Sequence, residues 1–400
     1  MRVLLATRGS SGHVGPLAPF GQACVRAGHE VLVVAQAQHR SNVERTGLPF
    51  APVGDPPPEE WMPLLGEFAR APHEAAHARM VGEFFAGVDL RSALPGQRAL
   101  VEEWRPDVIV RDSWEFASAV VAELHGIPLV RVGLGLAAME ELSIRHAAAG
   151  VDAARAGLGL PADPDGDRLR EAPYLTVVPE LLEDPATPAS GPVARFAHGL
   201  GPAGPAEPWG DGDAPLVYLT FGSVTAGAHL PYYPGLHRAA IDALAPLHAR
   251  ILLTIGDDRD PAQLGTLPAN VRAERWVSHG SVMPRAAAVV GHGGYGTTLD
   301  ALGHGTPLVV VPLFSLDQWA NADAVARVGA GVALVAERGA RAVLETPGPA
   351  TLDRLGPAVQ ELLDDPSYRR GAEAVATARR ALPPVEAAVD QLVRLAGTRS

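Results

Sequence analysis

The segment GHGGYGTT at 291–298 contains the residue types that can hold an anion. It follows an apolar run, 286–290, that predicts a buried strand, and we expect a helix to begin near Thr297 and run to about Gly303. Amide N–H groups in the first turn of a helix have no partner within the helix and attract negative charge. Glycines let a ligand approach the backbone, and His292 and the Thr297 hydroxyl add donors. The sequence therefore predicts a site for a phosphate group here.

Two other interpretations of this segment are open on its residues alone. Glycines 291, 293 and 296 match G-x-G-x-x-G, and Asp317 follows about 20 residues later, as in dinucleotide-binding folds. Against a nicotinamide cofactor, the preceding strand is about the third of its domain, whereas that fingerprint normally follows the first. Asp317 also lies several residues beyond its strand. The second interpretation is a tight strand-to-helix turn that binds nothing.

A histidine and a carboxylate in the first half could act on protons. His13 follows the first predicted strand, and Asp112 ends the strand in RPDVIVRD. Functional groups of α/β folds gather at the carboxyl ends of strands, where a neutral histidine can take a proton near pH 7 if a carboxylate orients it. We therefore expect His13 to be a general base oriented by Asp112. Capping of helix starts is the alternative for both residues, and Glu115 is the reserve candidate for the orienting acid.

Composition and charge disfavour several classes of function. The 400-residue chain has 33 basic and 45 acidic residues, and its net charge of −12 disfavours nucleic acid and anionic membranes as partners. Cys24 is the only cysteine, so no intrachain disulfide can form. We find neither an apolar run long enough for a membrane span nor a signal peptide, and we expect a cytoplasmic protein.

Short apolar runs alternate with Ala-rich helical stretches throughout the chain. They predict strands at 3–6, 31–35, 108–110, 129–132, 175–178, 217–221, 251–255, 289–290, 308–311 and 332–335. Such an alternation is typical of parallel sheets that are covered by helices on both faces. We therefore expect an α/β protein with two doubly wound, Rossmann-like domains.

The Pro- and Gly-rich stretch 184–215 lacks periodicity and predicts the connection between the two domains. We assign residues 1–200 to the first domain, 201–215 to the linker and 216–380 to the second domain. Residues 381–400 predict a last helix that packs back on the first domain.

Four segments resemble the GT-B glycosyltransferases of the large family that includes plant secondary-metabolite and bacterial antibiotic glycosyltransferases. They are GSSGHVGPL, LTFGS, RWVSHGSVMPRAAAVVGHGGYGTTLDALGHGTP and PLFSLDQWANA, which begin at residues 9, 219, 275 and 312. The resemblance spans nearly the whole chain, in order and at matching separations. It implies that the two Rossmann-like domains face each other across a cleft, with the acceptor in the first domain and the nucleotide sugar in the second.

The resemblance assigns residues to the nucleobase and to the donor sugar. Trp276 would stack on the base and the backbone of Val277 would read its edge, although Ser278 replaces a proline that is usual in the family. Asp317 and Gln318 match the pair that holds the hydroxyls of the sugar. Core packing is the alternative for Trp276, and a solvated loop acid is the alternative for Asp317.

The resemblance also assigns the diphosphate site. Ser223 matches a hydroxyl that contacts the diphosphate, and Tyr295 stands where Ser or His is frequent, so that its backbone N–H can still bind although its ring departs from the pattern. The phosphate-binding histidine and its turn match His292, Gly294, Gly296 and Thr297.

The activity that the resemblance implies is an inverting, metal-independent transfer of a sugar from a dTDP- or UDP-sugar to a hydroxyl of a hydrophobic small molecule, in antibiotic or other secondary metabolism. The nucleotide sugar is a co-substrate, and we expect no further cofactor. A homodimer is possible. The alternatives are a sugar-nucleotide epimerase or hydrolase on the same fold and a catalytically silent nucleotide-sugar-binding protein. Apolar candidates for the wall of the acceptor site are Trp61, Met62, Phe68, Met80, Phe84, Phe85, Leu134 and Met139.

A last pattern, HEAAH at 73–77, matches the H-E-x-x-H sequence of zinc hydrolases. Both histidines fall on one helical face, but no third ligand follows at a recognised spacing. We therefore interpret the segment as an exposed helix face and predict no metal site.

Overall fold

The computed structural model describes residues 1–197, 212–225, 230–339 and 341–397, without the side chains of Ser223 and Val224. Within these ranges one sheet is formed by β1 Arg2–Ala6, β2 Glu30–Gln36, β3 Phe50–Val53, β4 Val108–Asp112, β5 Leu129–Val132, β6 Tyr174–Thr176 and β7 Val193–Arg195. A second sheet is formed by β8 Leu216–Thr220, β9 Arg250–Thr254, β10 Val271–Glu274, β11 Ala288–Gly291, β12 Leu308–Val310 and β13 Gly331–Ala333.

Helices cover the faces of each sheet. Those of the first half are α1 Ser11–Arg26, α2 Arg40–Glu44, α3 Pro58–Arg70, α4 His73–Arg79, α5 Leu90–Trp104, α6 Ala117–His125, α7 Ala137–Gly157 and α8 Asp167–Glu171, with a π-helix, Met80–Asp89, between α4 and α5. Those of the second half are α9 Gly222–Thr225, α10 Gly235–Leu244, α11 His279–Val282, α12 Tyr295–Gly303, α13 Leu316–Arg327, α14 Pro349–Leu352, α15 Leu355–Asp364, α16 Pro366–Arg380 and α17 Ala388–Ala396.

All strand pairs within the two sheets are parallel. The central strands are continuous apolar runs because helices bury them on both sides: β1, β4, β8 and β11 are buried along almost their whole length. The expectation of two doubly wound, Rossmann-like domains is therefore confirmed.

The order of strands in each sheet creates one place where a ligand can enter. The first sheet runs β3-β2-β1-β4-β5-β6-β7 and the second runs β10-β9-β8-β11-β12-β13. Connections leave in opposite directions from β1 and β4, and likewise from β8 and β11, so a crevice opens beyond the carboxyl ends of each of these pairs. His13 and Asp112 follow or end the first pair, and Ser223 and His292 follow the second pair.

Among the described strands, three of the four at the sheet edges were not predicted from the sequence. β3, β7 and β10 are each the terminal strand of a sheet, and most of their side chains are only half-buried. Edge strands can therefore carry proline and charged residues, as Pro52 and Glu274 show, and these weaken the apolar pattern. β7 lies in the stretch 184–215 that lacks periodicity in the sequence, within the bounds assigned to the first domain. Residues 201–211 of the predicted linker lie outside the described residues.

The C-terminal segment returns to the first half of the chain. Ala197 N donates to Pro383 O at 2.7 Å and Val385 N donates to Ala197 O at 3.2 Å, so the segment pairs with the backbone that follows β7. The last helix, α17, then packs against α1. Among the described helices, none is long and apolar enough to cross a membrane.

A close backbone approach in the second sheet makes a specific prediction for stability. A Cβ added at Gly331 in the edge strand β13 would overlap the carbonyl group of Leu308 on β12. We expect Gly331→Ala to lower the free energy of unfolding of the second domain by about 1–3 kcal/mol, measured by urea denaturation. Gly235→Ala is the matched control, because a Cβ at the start of α10 meets nothing within 4 Å. Equal denaturation midpoints for the two variants would contradict this assignment.

Candidate active site

His13 and Asp112 meet at the carboxyl ends of β1 and β4. His13 lies in the first turn of α1, and its Nδ1 is 3.0 Å from Oδ2 of Asp112. The Asp112 carboxylate is fully buried and also accepts hydrogen bonds from the Thr7 hydroxyl at 2.8 Å and from the backbone N–H groups of Arg8 at 3.0 Å and Trp114 at 2.9 Å. The structure therefore brings together the histidine and the carboxylate that the sequence predicts as a pair.

The surroundings of Asp112 determine its charge and the tautomer of His13. Burial alone would raise the pKa of Asp112, but the charge of His13 and the hydrogen bonds from His13, Arg8 and Thr7 outweigh it and lower the pKa to about 2. The carboxylate is thus ionised at neutral pH and can only accept hydrogen bonds. His13 must donate from Nδ1, so the lone pair of its neutral ring is on Nε2 and can take a proton.

Glu115, the reserve candidate, has a different partner. The helix after β4 begins at Ala117, and Glu115 accepts from the backbone N–H of Ala117 at 2.9 Å and of Ser118 at 3.2 Å. Its carboxylate also accepts from Gln97 at 2.9 Å. Glu115 therefore caps α6, whereas Asp112 is the carboxylate that contacts His13.

The turn between β11 and α12 depends on glycine. Gly293 has φ +84°, and a Cβ there would lie 2.8 Å from Gln318 O and 2.7 Å from Val310 Cγ1. A Cβ at Gly294 or at Gly222 would overlap the imidazole of His292, so both glycines make room for this ring. The ring is thereby held at the carboxyl end of β11, between two segments of backbone.

His292 is buried and faces Phe314. The two rings are stacked with centroids 6.3 Å apart, and burial lowers the pKa of His292 to about 4. The ring is therefore neutral at pH 7 and carries one N–H donor. Its Nδ1 is buried and has no hydrogen-bond partner within the described residues.

The helix α12 begins at Tyr295, two residues earlier than the sequence suggested. Its first backbone bond runs from Thr298 N to Gly294 O at 3.0 Å. The amides of Tyr295, Gly296 and Thr297 precede this bond and have no acceptor within the helix, and the helix dipole favours an anion beside them. The N-terminus of α12 can therefore bind a negatively charged group next to His292.

Asp317 and Gln318 lie at the start of α13, in the same domain as His292 and α12. The Oε1 atom of Gln318 accepts from Leu313 N at 2.8 Å and from Phe314 N at 3.2 Å, which leaves its amide nitrogen as the donor for a ligand. Asp317 accepts from the hydroxyl of Ser315. Burial raises the pKa of Asp317, and the hydrogen bond from Ser315 and the charge of His13 in the other domain act in the opposite direction. Asp317 and His13 are thus close enough across the cleft to interact electrostatically.

The residues that were predicted to bind the nucleobase differ in their exposure to solvent. The side chain of Trp276 is 68% exposed, which is unusual for a tryptophan and excludes core packing as its role. Val277 is half-buried against the core of the second domain. Ser278 immediately precedes α11, and His279 Nδ1 is 2.8 Å from Oδ2 of Asp300. The side chain of Ser223 lies outside the described residues.

A cavity of about 430 Å³ lies between the two domains, beside His13. Three of the predicted wall residues line it, namely Phe68, Met80 and Phe85, while Met62 is exposed and Trp61 packs on Phe84. Leu134 and Met139 are buried away from the cavity. Its remaining lining residues are His73, His77, Val81, Trp114, Leu230, Phe314, Ser315 and Leu316. Aromatic rings from both domains therefore line the cavity, and two of them, Phe85 and Trp114, lie edge-on to the imidazole of His13.

The interpretation of HEAAH as an exposed helix face is wrong. His73 and His77 are 4% and 5% exposed. The face that carries them packs against α7 and α13 instead of solvent. Among the described residues, no three His, Cys, Asp or Glu side chains are grouped so that they could hold a metal ion.

Comparisons with known proteins identify the family and the fold of the chain. The family Erythromycin biosynthesis protein CIII-like matches the chain in both of its domains. Its N-terminal domain matches residues 22–170 and its C-terminal domain matches residues 238–395. L-demethylnoviosyl transferase of Streptomyces niveus is 34% identical, over 84% of this chain and 85% of its own length. Elloramycin glycosyltransferase ElmGT of Streptomyces olivaceus is 32% identical, over 96% of this chain and 94% of its own length.

The chain belongs to this family of natural-product glycosyltransferases. The crystal structure of the glycosyltransferase VinC in complex with DTDP has a similar fold, with a TM-score of 0.76, 25% identity and coverage of 99% of this chain and 100% of that one. The complex of spinosyn rhamnosyltransferase SpnG with its aglycone has a TM-score of 0.78 at 23% identity, over 98% of this chain and 100% of that one. The resemblance to GT-B enzymes is therefore confirmed for the family and for the fold.

Two contributors to the glycosyltransferase site were missed in the sequence. Trp114 follows Asp112 by two residues, and its ring lies edge-on to His13 with centroids 5.8 Å apart. Arg8 pairs with buried Asp89 at 2.8 Å, and its guanidinium lies 3.7 Å from the centroid of Phe85. Their positions after β1 and β4, at the same sheet edge as His13, were the signal that could have identified them.

Tyr295, which departs from the family pattern, places its side chain against the hydrophobic core. Its ring packs against the core that includes residues of the first domain, and its buried hydroxyl lies among Thr176, Glu140 and Glu183. Burial, which is the main cause, raises the pKa of Tyr295. The backbone N–H of Tyr295 is still at the N-terminus of α12, so this residue serves both the anion site and the contact between the domains.

Glu140, in the first turn of α7, holds the loops beside Asp112. A single oxygen, Oε1, accepts from the Ser113 hydroxyl at 2.9 Å and from the backbone N–H groups of Leu134 at 2.9 Å and Gly135 at 3.2 Å. Burial raises the pKa of Glu140 to about 7, against the charge of Arg131 and the hydrogen bond from Ser113. Near neutral pH its carboxyl group therefore changes charge beside the site.

This raised pKa predicts a pH-dependent loss of stability. A carboxyl group whose pKa is higher in the folded protein stabilises the fold fully below the unfolded value of 4.5, and that contribution is lost as the pH rises toward 7. Glu140→Gln keeps an oxygen for the three donors and cannot ionise. From pH 5 to pH 8 we expect the wild-type enzyme to lose roughly 3 kcal/mol relative to this variant, measured by denaturation at each pH.

Glu141→Gln is the matched control on the same helix. The pKa of Glu141 is lowered, because the hydrogen bonds from Ser190 and Arg170 and the charge of Arg131 together outweigh the opposing effect of burial. Its contribution to stability changes only below pH 4.5, so the difference between this variant and the wild type should stay constant from pH 5 to pH 8. If the free energies of unfolding of the wild type and of Glu140→Gln changed in parallel from pH 5 to pH 8, Glu140 would not titrate in this range.

Proposed function

We propose that this glycosyltransferase transfers a sugar from a dTDP- or UDP-sugar to a hydroxyl of a hydrophobic small-molecule aglycone, with inversion at the anomeric carbon. The observation that carries the proposal is the His13–Asp112 pair on the wall of an aromatic cavity, opposite Asp317 and α12. The cleft thus has a proton acceptor on one side and an anion site on the other.

His13 is the general base of the proposed reaction. Its Nε2 takes the proton of the acceptor hydroxyl while the oxygen of that hydroxyl attacks the anomeric carbon. The acceptor, which carries the attacking oxygen, binds on the side of the first domain, and the leaving diphosphate stays with the second domain. The displacement is therefore in line and inverts the configuration at the anomeric carbon. Asp112 keeps the required tautomer and stabilises the imidazolium that forms, since its carboxylate remains ionised.

The second domain stabilises the leaving group. The bond from the anomeric carbon to the diphosphate oxygen breaks, and the negative charge that develops is met by the amides at the start of α12 and by the N–H of His292. Asp317 and the amide nitrogen of Gln318 hold the sugar hydroxyls, and Trp276 offers its exposed indole to the nucleobase. Because protein dipoles and donors supply the compensating charge, the proposed reaction requires no metal ion.

The chemistry of the cavity supports an aromatic acceptor. Phe68, Phe85, Trp114 and Phe314 line it and would pack on a flat, apolar ring system. Relatives named as antibiotic transferases, and the complex of VinC with DTDP, support a thymidine nucleotide as donor and a role in natural-product biosynthesis.

Removal of the base tests the proposed chemistry. We expect His13→Ala to lower kcat by about 10²–10⁴-fold, because the acceptor hydroxyl is no longer deprotonated. The affinity for dTDP should stay near the wild-type value, since His13 belongs to the other domain. Product formation would be followed by mass spectrometry with dTDP-sugars and polycyclic phenols, and the anomeric configuration by NMR.

His248→Ala is the control for that experiment, because His248 is exposed between α10 and β9, away from the cleft. Unchanged kcat in His13→Ala would exclude the base assignment. Release of free sugar with no transfer to any acceptor would instead favour a hydrolase.

A second prediction concerns the anion site. Hydrogen bonds to charged groups contribute about 1.5–3 kcal/mol, so His292→Ala should weaken dTDP binding by about 10- to 100-fold. Calorimetry would measure this loss. His304→Ala, at the other end of α12, is the matched control and should bind dTDP like the wild type. Equal affinities of His292→Ala and the control for dTDP would exclude the proposed role of His292 in anion binding.

A further inference from the structure

The two histidines of HEAAH have different surroundings. His73 Nε2 donates to the carbonyl of Leu313 at 2.9 Å, and its ring lies edge-on to Trp319 with centroids 5.3 Å apart. His73 thereby joins α4 to the second domain. His77, one turn later, lines the cavity, and no role for it follows from the reaction proposed above.

The tautomer of His77 follows from its contact with Ser143. The hydroxyl of Ser143 donates to Met139 O at 2.8 Å, so its oxygen accepts from Nε2 of His77 at 3.3 Å. The proton of the neutral ring is thus on Nε2 and the lone pair is on Nδ1. Within the described residues Nδ1 of His77 has no hydrogen-bond partner.

Comparison with His13 shows what His77 can do. Both rings lie edge-on to Trp114, with centroid distances of 5.8 Å for His13 and 5.9 Å for His77. His13 is paired with the Asp112 carboxylate, whereas His77 has a serine and a second imidazole, His146, as neighbours. Burial, assisted by His146, lowers the pKa of His77 to about 4, so this ring stays neutral and accepts hydrogen bonds without taking up a proton.

We propose that His77 is a specificity-determining residue whose Nδ1 accepts a hydrogen bond from a second hydroxyl or N–H group of a planar aromatic acceptor. This inference rests on the proposed function. The acceptor lies against Trp114 and Phe85, whose rings are 5.5 Å apart and inclined by 30°, with one hydroxyl at His13 and the second polar group at His77.

The physical reason is that aromatic packing alone does not fix the orientation of a flat molecule. Contact with Trp114, Phe85 and Phe314 gives affinity, but it allows the molecule to slide or turn over in its plane. A second directional contact selects the orientation in which one particular hydroxyl reaches His13. His77 therefore contributes to which hydroxyl receives the sugar, in addition to affinity.

The test compares two acceptors that differ in one hydroxyl, 2,6-dihydroxyanthraquinone and 2-hydroxyanthraquinone. Their dissociation constants would be measured by calorimetry on the full chain in the presence of dTDP. One hydrogen bond to a neutral group corresponds to a preference of the wild type for the dihydroxy compound of about 3- to 10-fold. A wild-type ratio near one would overturn the inference.

Three substitutions separate the hydrogen bond from a structural role. His77→Asn places an amide oxygen near the position of Nδ1, and we expect it to keep the preference. His77→Gln places its amide near the position of Nε2, so it keeps the contact with Ser143 but loses the preference, and His77→Phe loses both. If Asn and Gln reduced the preference equally, His77 would be only structural and the inference would be wrong.

The outcome distinguishes this inference from the proposed function. Failure of the wild type to bind or glycosylate either anthraquinone would overturn the proposed acceptor class, and the inference with it. Glycosylation of both compounds with the same dissociation-constant ratio in the wild type and in His77→Phe would overturn only the role of His77.

Discussion

The carboxylate of Asp112 accepts four hydrogen bonds in a place that solvent does not reach, and the rest of the acceptor side is arranged around it. Three donors, from Thr7, Arg8 and His13, follow β1, and the fourth, the backbone N–H of Trp114, follows β4. Movement of either segment would remove hydrogen bonds from a buried charge, which is unfavourable. The imidazole of His13 and the indole of Trp114 are therefore positioned by one carboxylate at the switch point of the sheet.

In the second domain, the predicted anion site around His292 is built without a permanently charged side chain. Around His292 the chain uses glycines at 222, 293 and 294, so that backbone and imidazole come close together, and burial keeps the imidazole neutral. The positive potential comes from the dipole of α12 and costs no desolvation of an ion. A negative ligand can enter and leave such a site more easily than one with a buried guanidinium, which suits the proposed release of a nucleotide after each transfer.

The sequence predicted the residues that meet at the site because their chemistry and their positions after strands are local properties. His13, Asp112 and the glycine turn could be located in this way, and the central strands could be predicted from their apolar runs. The features that the sequence analysis predicted wrongly or could not interpret depend on contacts between distant segments. The periodicity of HEAAH defines a helical face but not what covers it, and α4 buries that face against α7 and α13. Tyr295 could not be interpreted for the same reason, because its hydroxyl lies near Glu140, Thr176 and Glu183 of the first domain.

These distant contacts connect the acceptor and donor halves of the cleft more closely than a division into two domains suggests. The backbone of Leu313 accepts from His73 through its carbonyl and donates to Gln318 through its N–H. The helix α4, which presents His77 to the cavity, is therefore joined by one residue to the side chain proposed to hold the donor sugar. The same short helix thus supplies His77 to the wall of the cavity and His73 to the backbone that positions Gln318.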